Sequence, residues 1–412
     1  MNAPTGLNHR PLWANRDYVL WWLGNLASSI GDQLVVVAIP LMVLLLTASP
    51  LQAGLVSSLE VLPFIILSLP AGVLVDRLPR RPLLIGASLV SLVTYALIPV
   101  AHLLGSLTVA HLYAVAFVSG CSTVIFAVAQ QTALPTLVDA RHLGAAAGQA
   151  ETVERLAAIL GPLAATYLFY QASPTVPFAV NALSFAVIAL AVTQIRANLG
   201  PFGVAAAQAP RVNLLAGARS LLRNRLLRDL TLLNSTGDML FAGIGLLMIV
   251  LLREGGQQGT SIGVVFSSAA IGGLLGAMAT NWLERRLGLA TAVIGKHVLT
   301  AALFPLLLLG LPVYGVGILW ASISFQVSIV AVIQRKYVLL ATPADLMGRV
   351  QSFTTFLSFG SLPIGAAATG FVLEAAGARG AVVVYTLVLV AMAAWSIASR
   401  AIRTGTGSVA VS

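Results

Sequence analysis

Apolar residues in this chain come in runs of roughly 20 or more, the length an α-helix needs to cross the hydrocarbon core of a bilayer. Short breaks bearing charges, glycine or proline separate them. Within hydrocarbon every backbone polar group must be satisfied inside its own segment, so each run is expected to be a helix. Composition agrees. Of the 412 residues 58% are hydrophobic and 9% charged, against roughly 25% charged in soluble domains. The first run begins near Tyr18 and is too long for the apolar core of a signal peptide. Cys121 is the only cysteine, which excludes an intramolecular disulfide. The chain is therefore read as an all-α integral membrane protein.

Twelve spans can be drawn: 18–46, 51–75, 82–104, 107–132, 149–171 and 175–195, then 229–252, 259–283, 291–311, 313–336, 349–375 and 379–400. The expected organisation is a segment 1–17, a six-helix bundle over 18–195, a linker 196–228, a second bundle over 229–400 and a tail 401–412. Basic residues are lopsided between the two faces that these spans define. One face takes Arg10, Arg16, Arg77, Arg80, Arg81, Arg141, Arg196, the cluster within 211–228, Arg285, Arg286, Arg335, Lys336, Arg349, Arg400 and Arg403; the other takes Arg253 and Arg379. The richer face is read as cytoplasmic. Both termini then lie there, which requires an even number of spans. The net charge of +10 is thus a mark of topology, and no nucleic-acid partner is expected because no compact basic domain could carry one. In the linker, Leu215, Ala218, Leu222 and Leu226 recur at helical spacing among arginines. That pattern suits a basic amphipathic helix lying against anionic headgroups.

The halves repeat each other. Asn25-Leu-Ala-Ser-Ser-Ile-Gly-Asp32 in the first span is echoed by Asn234-Ser-Thr-Gly-Asp238 in the seventh, and Gly54-Leu-Val-Ser-Ser58 by Gly263-Val-Val-Phe-Ser-Ser268. Gly161-Pro162 in the fifth span parallels Leu362-Pro363 in the eleventh. Two homologous six-span bundles with a ligand site near the membrane midplane account for this order.

Between the second and third spans stands Gly72-Val-Leu-Val-Asp-Arg-Leu-Pro-Arg-Arg81. Its charges place it at a membrane face. It resembles the G-x-L-x-D-R-x-G-R-R loop of major facilitator superfamily transporters: Gly72, Leu74, Asp76, Arg77, Arg80 and Arg81 match, and Pro79 replaces a glycine. The chain from about Asn15 to Arg400 is similar to the twelve-span, proton-linked drug exporter branch that includes macrolide-efflux and enterobactin-export proteins. The segments Asn15–Gly24, Gly31-Asp32, Ala38–Leu41, Thr47–Pro50, Ala133–Val138, Ile159–Pro162 and Gly217–Leu230 carry that similarity. The resemblance implies a major facilitator fold and export by alternating access. It also implies a gating role for Gly72, Asp76, Arg77, Arg80 and Arg81, with Asp76 meeting the start of the eleventh span near Gly348 and Arg349. Many relatives carry an arginine in the fourth span where this chain has Gln130.

Ionisable groups inside the spans are the candidates for function, because an intramembrane charge is costly and usually employed. Asp32 lies near the middle of the first span, on one helical face with Asn25, Ser28 and Ser29. A carboxyl at that depth can take up and release a proton; the alternative is a structural aspartate hydrogen-bonded beside Gly31. Glu60 in the second span is a second candidate for proton coupling or substrate contact. Asp238 with Asn234 is the corresponding candidate in the second half. Glu151, Glu154 and Arg155 are expected to form ion pairs at the cytoplasmic end of the fifth span. Gln351, Thr354, Thr355 and Ser358 could line a path through the eleventh span or bond it to neighbours. The histidines show no metal-ligand spacing, and there is no Walker loop or hydrolase motif. No metal and no cofactor are expected, and the proton gradient is the expected energy source. The partners expected are the lipid bilayer, protons and a small-molecule substrate, with the chain acting as a monomer in the inner (cytoplasmic) membrane. A facilitator or importer of the same fold is the first alternative. A membrane-embedded enzyme or a non-transporting sensor is a remote one.

Overall fold

The computed structural model describes residues 12–200, 219, 221–257, 259–342 and 347–404. Residues 211–218 and 220 of the amphipathic helix expected within 211–228 fall outside them, as do the tail beyond 404 and the Arg349 side chain.

Among the described residues all regular structure is helical. The helices are α1 (Arg16–Thr47), α2 (Pro50–Arg77), α3 (Arg80–Leu103), α4 (Val109–Leu137), α5 (Leu143–Tyr167) and α6 (Val176–Gln194). There follow α7 (Arg225–Glu254), α8 (Thr260–Glu284), α9 (Leu289–Leu303), α10 (Val313–Ala341) and α11 (Met347–Ala398). Gly377, at φ 66° and ψ −179°, breaks α11 into two arms. That backbone region is essentially closed to residues with a Cβ, so one glycine makes two spans of a single run. Ten segments are long and apolar enough to cross a membrane, the last being Val350–Ala398 with its two arms. α5 completes the twelve; Glu151, Glu154 and Arg155 dilute its apolar character.

Three expectations shift. α4 continues to Leu137 and α5 begins at Leu143, six residues ahead of the expected start, because Ala145, Ala146 and Ala147 are strong helix formers. The stretch Gly72–Arg81 is not mostly loop: α2 is helical through Arg77, leaving Leu78 and Pro79 as the whole break before α3. The ninth span tightens into a 3-10 segment over Phe304–Leu309, where Pro305 removes a backbone donor.

The chain forms two compact units, one of Met1–Ala48 and Leu59–Ala209, the other of Ser49–Ser58 and Pro210–Ser412. In the first unit α1 packs on α5 and α6, and α3 packs on α4 and α6. Glycines set the closeness. A Cβ on Gly31 would collide with Asn181 of α6, and one on Gly161 with Gln33 of α1. The motif Asn15-Arg16-Asp17-Tyr18 staples one end of this unit. Asn15 caps α1 by accepting from the Asp17 and Tyr18 amides and donates from Nδ2 to the Leu137 carbonyl at 2.8 Å. Asp17 accepts from the Arg196 and Ala197 amides, and the Tyr18 hydroxyl donates to Gln149 at 2.7 Å.

In the second unit α7 packs on α11, α8 on α10, and α9 on both α10 and α11. Gly272 and Gly276, four apart on α8, lie directly over the Ala321 and Phe325 carbonyls of α10, the close backbone approach that small residues allow in membranes. Gly365 approaches the Met239 carbonyl on α7 as Gly161 approaches Gln33 on α1. The repeated acids Asp32 and Asp238 directly precede those two contacted residues, so the structural repeat pairs Gly161 with Gly365, three places beyond the proline-based alignment. Leucines such as Leu103, Leu183, Leu190 and Leu387 are exposed. In water such surfaces would drive association; in a bilayer they face lipid.

Candidate functional site

The polar stripe of α1 supplies the centre of the first unit, and each of its members turns to a different neighbour. Gln130 of α4 donates its amide to Asn25 Oδ1. Ser29 donates to Glu154 Oε1 of α5 at 2.7 Å. Asp32 has Ser28 and Asn181 (α6) as polar neighbours, with Glu154 and Glu60 (α2) near enough to interact with it electrostatically. The Tyr95 phenol of α3 lies near both Glu60 and Asp32, its ring stacked on Phe185 of α6 at 5.9 Å. Each of the other five helices thus sets a polar side chain along the polar stripe of α1.

Depth follows from helix lengths. Asp32 lies 16 residues into α1, Glu60 ten into α2 and Glu154 eleven into α5, or roughly 24, 15 and 16 Å at 1.5 Å per residue. None of the three forms an ion pair with a described base. Glu154 therefore departs from expectation. The ion pair at this point of α5 is Arg155–Glu151 at 2.8 Å, and Glu154, on another face, joins Asp32.

The second unit is built differently. Asp238 of α7 has Ser358 of α11 beside it and Lys296 of α9 within electrostatic range. Lys296 was missed by sequence reasoning, although a lysine seven residues into a 15-residue apolar helix is itself a signal. Tyr95 and Asn181 were also missed, since neither is charged. Asn234, the counterpart of Asn25, makes no hydrogen bond to the described residues. Gln351 and Thr355 are exposed, and Thr354 Oγ1 is buried without a protein partner.

At the end of α2, Asp76 and Arg77 are exposed, and a Cβ on Gly72 would meet open space. Arg80 donates to the Leu199 carbonyl at 2.9 Å, and Arg81 to the Ile195 and Ala197 carbonyls at 2.6 and 2.9 Å. These two arginines hold the segment that leaves α6. The expected partner of Asp76 involves Gly348 and Arg349, which fall outside the described side chains. No group of three or more potential metal-ligating side chains occurs among the described residues.

Mid-helix ionisable groups facing polar partners, on bundles of membrane-spanning helices, are the makings of a multi-pass membrane transporter. The chain belongs to the Major Facilitator Superfamily, whose family model matches residues 21–366. It is accordingly a transporter and not an enzyme. It is 26% identical over 371 residues to the multidrug efflux pump Tap of Mycolicibacterium fortuitum, covering 85% of this chain and 88% of that one. It is 24% identical over 361 residues to the enterobactin exporter EntS of Salmonella typhimurium, covering 85% and 84%. The crystal structure of the nucleoside transporter NupG superposes with a TM-score of 0.75 at 13% identity, covering 93% of this chain and 98% of that one; this likeness is one of fold.

Proposed function

We propose that the chain is a proton-coupled antiporter that exports an amphiphilic small molecule, of drug, antibiotic or siderophore-like kind, by alternating access. The observation that carries this reading is the convergence of Asp32, Glu60 and Glu154 on three membrane-spanning helices with no base among the described residues paired to any of them. Like charges close together on membrane-spanning helices are unfavourable. Such a cluster is neutralised by protons or by a ligand that takes their place, and the two compete. That competition is the thermodynamic content of antiport: each ligand weakens the other's binding by the same factor. The outward direction rests on the relatives, named as an efflux pump and an exporter.

The proton gradient is the energy source, with no cofactor. The protein sits in the inner (cytoplasmic) membrane with both termini cytoplasmic, since the basic residues gather on the face that holds them. It works as a monomer whose partners are lipid, protons and substrate. Asp76, Arg77, Arg80 and Arg81 act in gating. In inside-out vesicles carrying wild-type protein, amphiphilic probes should accumulate when a proton gradient is imposed and stop when it is collapsed. Asp32→Asn should abolish the gradient-driven part at unchanged protein level. Full uptake in that variant would remove Asp32 from the mechanism, and downhill uptake indifferent to the gradient would identify a facilitator instead.

A further inference from the structure

Three helices of the second unit each carry a pair of polar side chains one turn apart, one pair including Asp238 and the other two including its neighbours Lys296 and Ser358. On α7 the pair is Ser235 and Asp238, on α9 Lys296 and Thr300, and on α11 Thr354 and Ser358. Spacings of three and four residues keep each pair on one helical face. Asp238 has both Ser358 and Lys296 as neighbours. Yet Asp238 and Lys296 close no ion pair with each other or with another described residue, and Asp238 has the Ser358 hydroxyl as its polar neighbour. The other member of each pair, Ser235, Thr300 and Thr354, has a buried hydroxyl oxygen with no protein partner. Hydroxyls in helices commonly bond back to the carbonyl one turn earlier, as Thr280 and Thr369 do here at 2.8 and 2.7 Å. A buried polar atom left unmatched is disfavoured, and native proteins keep few of them. Here three share helix faces with an acid, a base and a serine that faces the acid, and the acid and base do not close on each other.

The charges narrow what fits. Asp238 and Lys296 cancel, so this centre favours neither an anion nor a cation, unlike the acid-only centre of the first unit. What it offers is acceptors at Asp238, donors at Lys296, and hydroxyls able to serve as either. We infer that the second unit holds a recognition subsite for a neutral, hydroxyl-rich head group, one that accepts from Lys296 and donates to Asp238 at once, as adjacent hydroxyls of a glycosyl group do. The cargo is then an amphiphile with a polyol head, and Lys296 is a specificity-determining residue. This rests on the exporter reading for its meaning. Its test is binding, which needs no gradient, so the two can fail separately.

Two fluorescent probes with the same aromatic body serve: 4-methylumbelliferyl β-glucoside and 7-methoxy-4-methylcoumarin, which lacks the hydroxyls. Equilibrium binding is measured to the full chain in lipid nanodiscs, with empty nanodiscs subtracted. The wild type should bind the glucoside about tenfold more tightly than the methyl ether, the effect of one or two well-placed hydrogen bonds to charged groups. Lys296→Met should erase that preference and leave methyl ether binding unchanged; Thr354→Val should reduce it in the same direction. Unchanged methyl ether binding also shows that a variant is folded. Equal binding of both probes by the wild type, no glucoside binding, or an equal loss of both probes in both variants would overturn the subsite.

Discussion

The contact between α1 and α5 can be tested through a substitution placed two turns from the candidate centre. Gly161 faces Gln33: a Cβ there would fall 3.4 Å from the Gln33 Cα and well inside contact with its Cβ. Carbon atoms sit comfortably at about 3.5–4.0 Å, so Gly161→Ala forces α5 away from α1 by about 1 Å. Glu154 is seven residues earlier on the same face of α5, roughly 10 Å along the axis. The displacement therefore stretches the 2.7 Å bond from Ser29 to Glu154 beyond useful length. Overpacking alone costs about 1–3 kcal/mol. A hydrogen bond to a charged group is worth about 1.5–3 kcal/mol, and the lower end applies because Glu154 is exposed. The assay is a double-mutant cycle in SDS-driven unfolding from mixed micelles. Ser29→Ala should cost about 1.5 kcal/mol in the wild-type background and near zero with Gly161→Ala already present. Equal costs in both backgrounds would show that the glycine contact does not position Glu154. A neutral Gly161→Ala would refute the packing argument outright.

Gly377→Ala tests the break in α11. Its Cβ would meet only Glu254 Oε1, at an ordinary 3.6 Å, so the cost is backbone strain of about 1–3 kcal/mol, read as a lowered unfolding midpoint; an unchanged midpoint would mean that the arms can adopt another angle freely. Arg81→Gln removes two hydrogen bonds to the segment after α6. A cysteine placed at Asn198 should then be labelled several-fold faster by a water-soluble maleimide, and no change in rate would deny the arginine its clamping role.

Membrane spans are legible because the requirement for about 20 apolar residues is written in one dimension. Most helices therefore lie where the runs lie, and the repeat of Asp32 by Asp238 could be read from residue order alone. What surrounds those acids was not legible, for a different reason. A fifth helix starting at 149 puts Glu151, Glu154 and Arg155 near a membrane face, and the i,i+4 spacing pairs Glu151 with Arg155, as the structure does; it says nothing of where Glu154 turns. With the helix starting at Leu143, Glu154 lies three turns deep and accepts from Ser29 of α1. Lys296 was lost because an apolar average absorbs one charge, while its neighbour Asp238 lies on a helix 58 residues away in sequence. In sequence Gln130 reads only as a missing arginine. In three dimensions it is the donor that Asn25 accepts from, a pairing across 105 residues that no periodicity encodes.

The centre of the first unit draws polar side chains from all six helices, several of them from α1, and this constrains how such a sequence can drift. Asn25 cannot change chemistry without stranding Gln130, nor Ser29 without stranding Glu154. Replacements there are viable chiefly as matched pairs, drawn from positions far apart in the chain. Lipid-facing positions such as Leu183 and Leu190 carry no such debt and can exchange singly among apolar residues. New transport properties in a lineage of this kind would then arise in small coordinated jumps at the centre, on a surface that diversifies continuously.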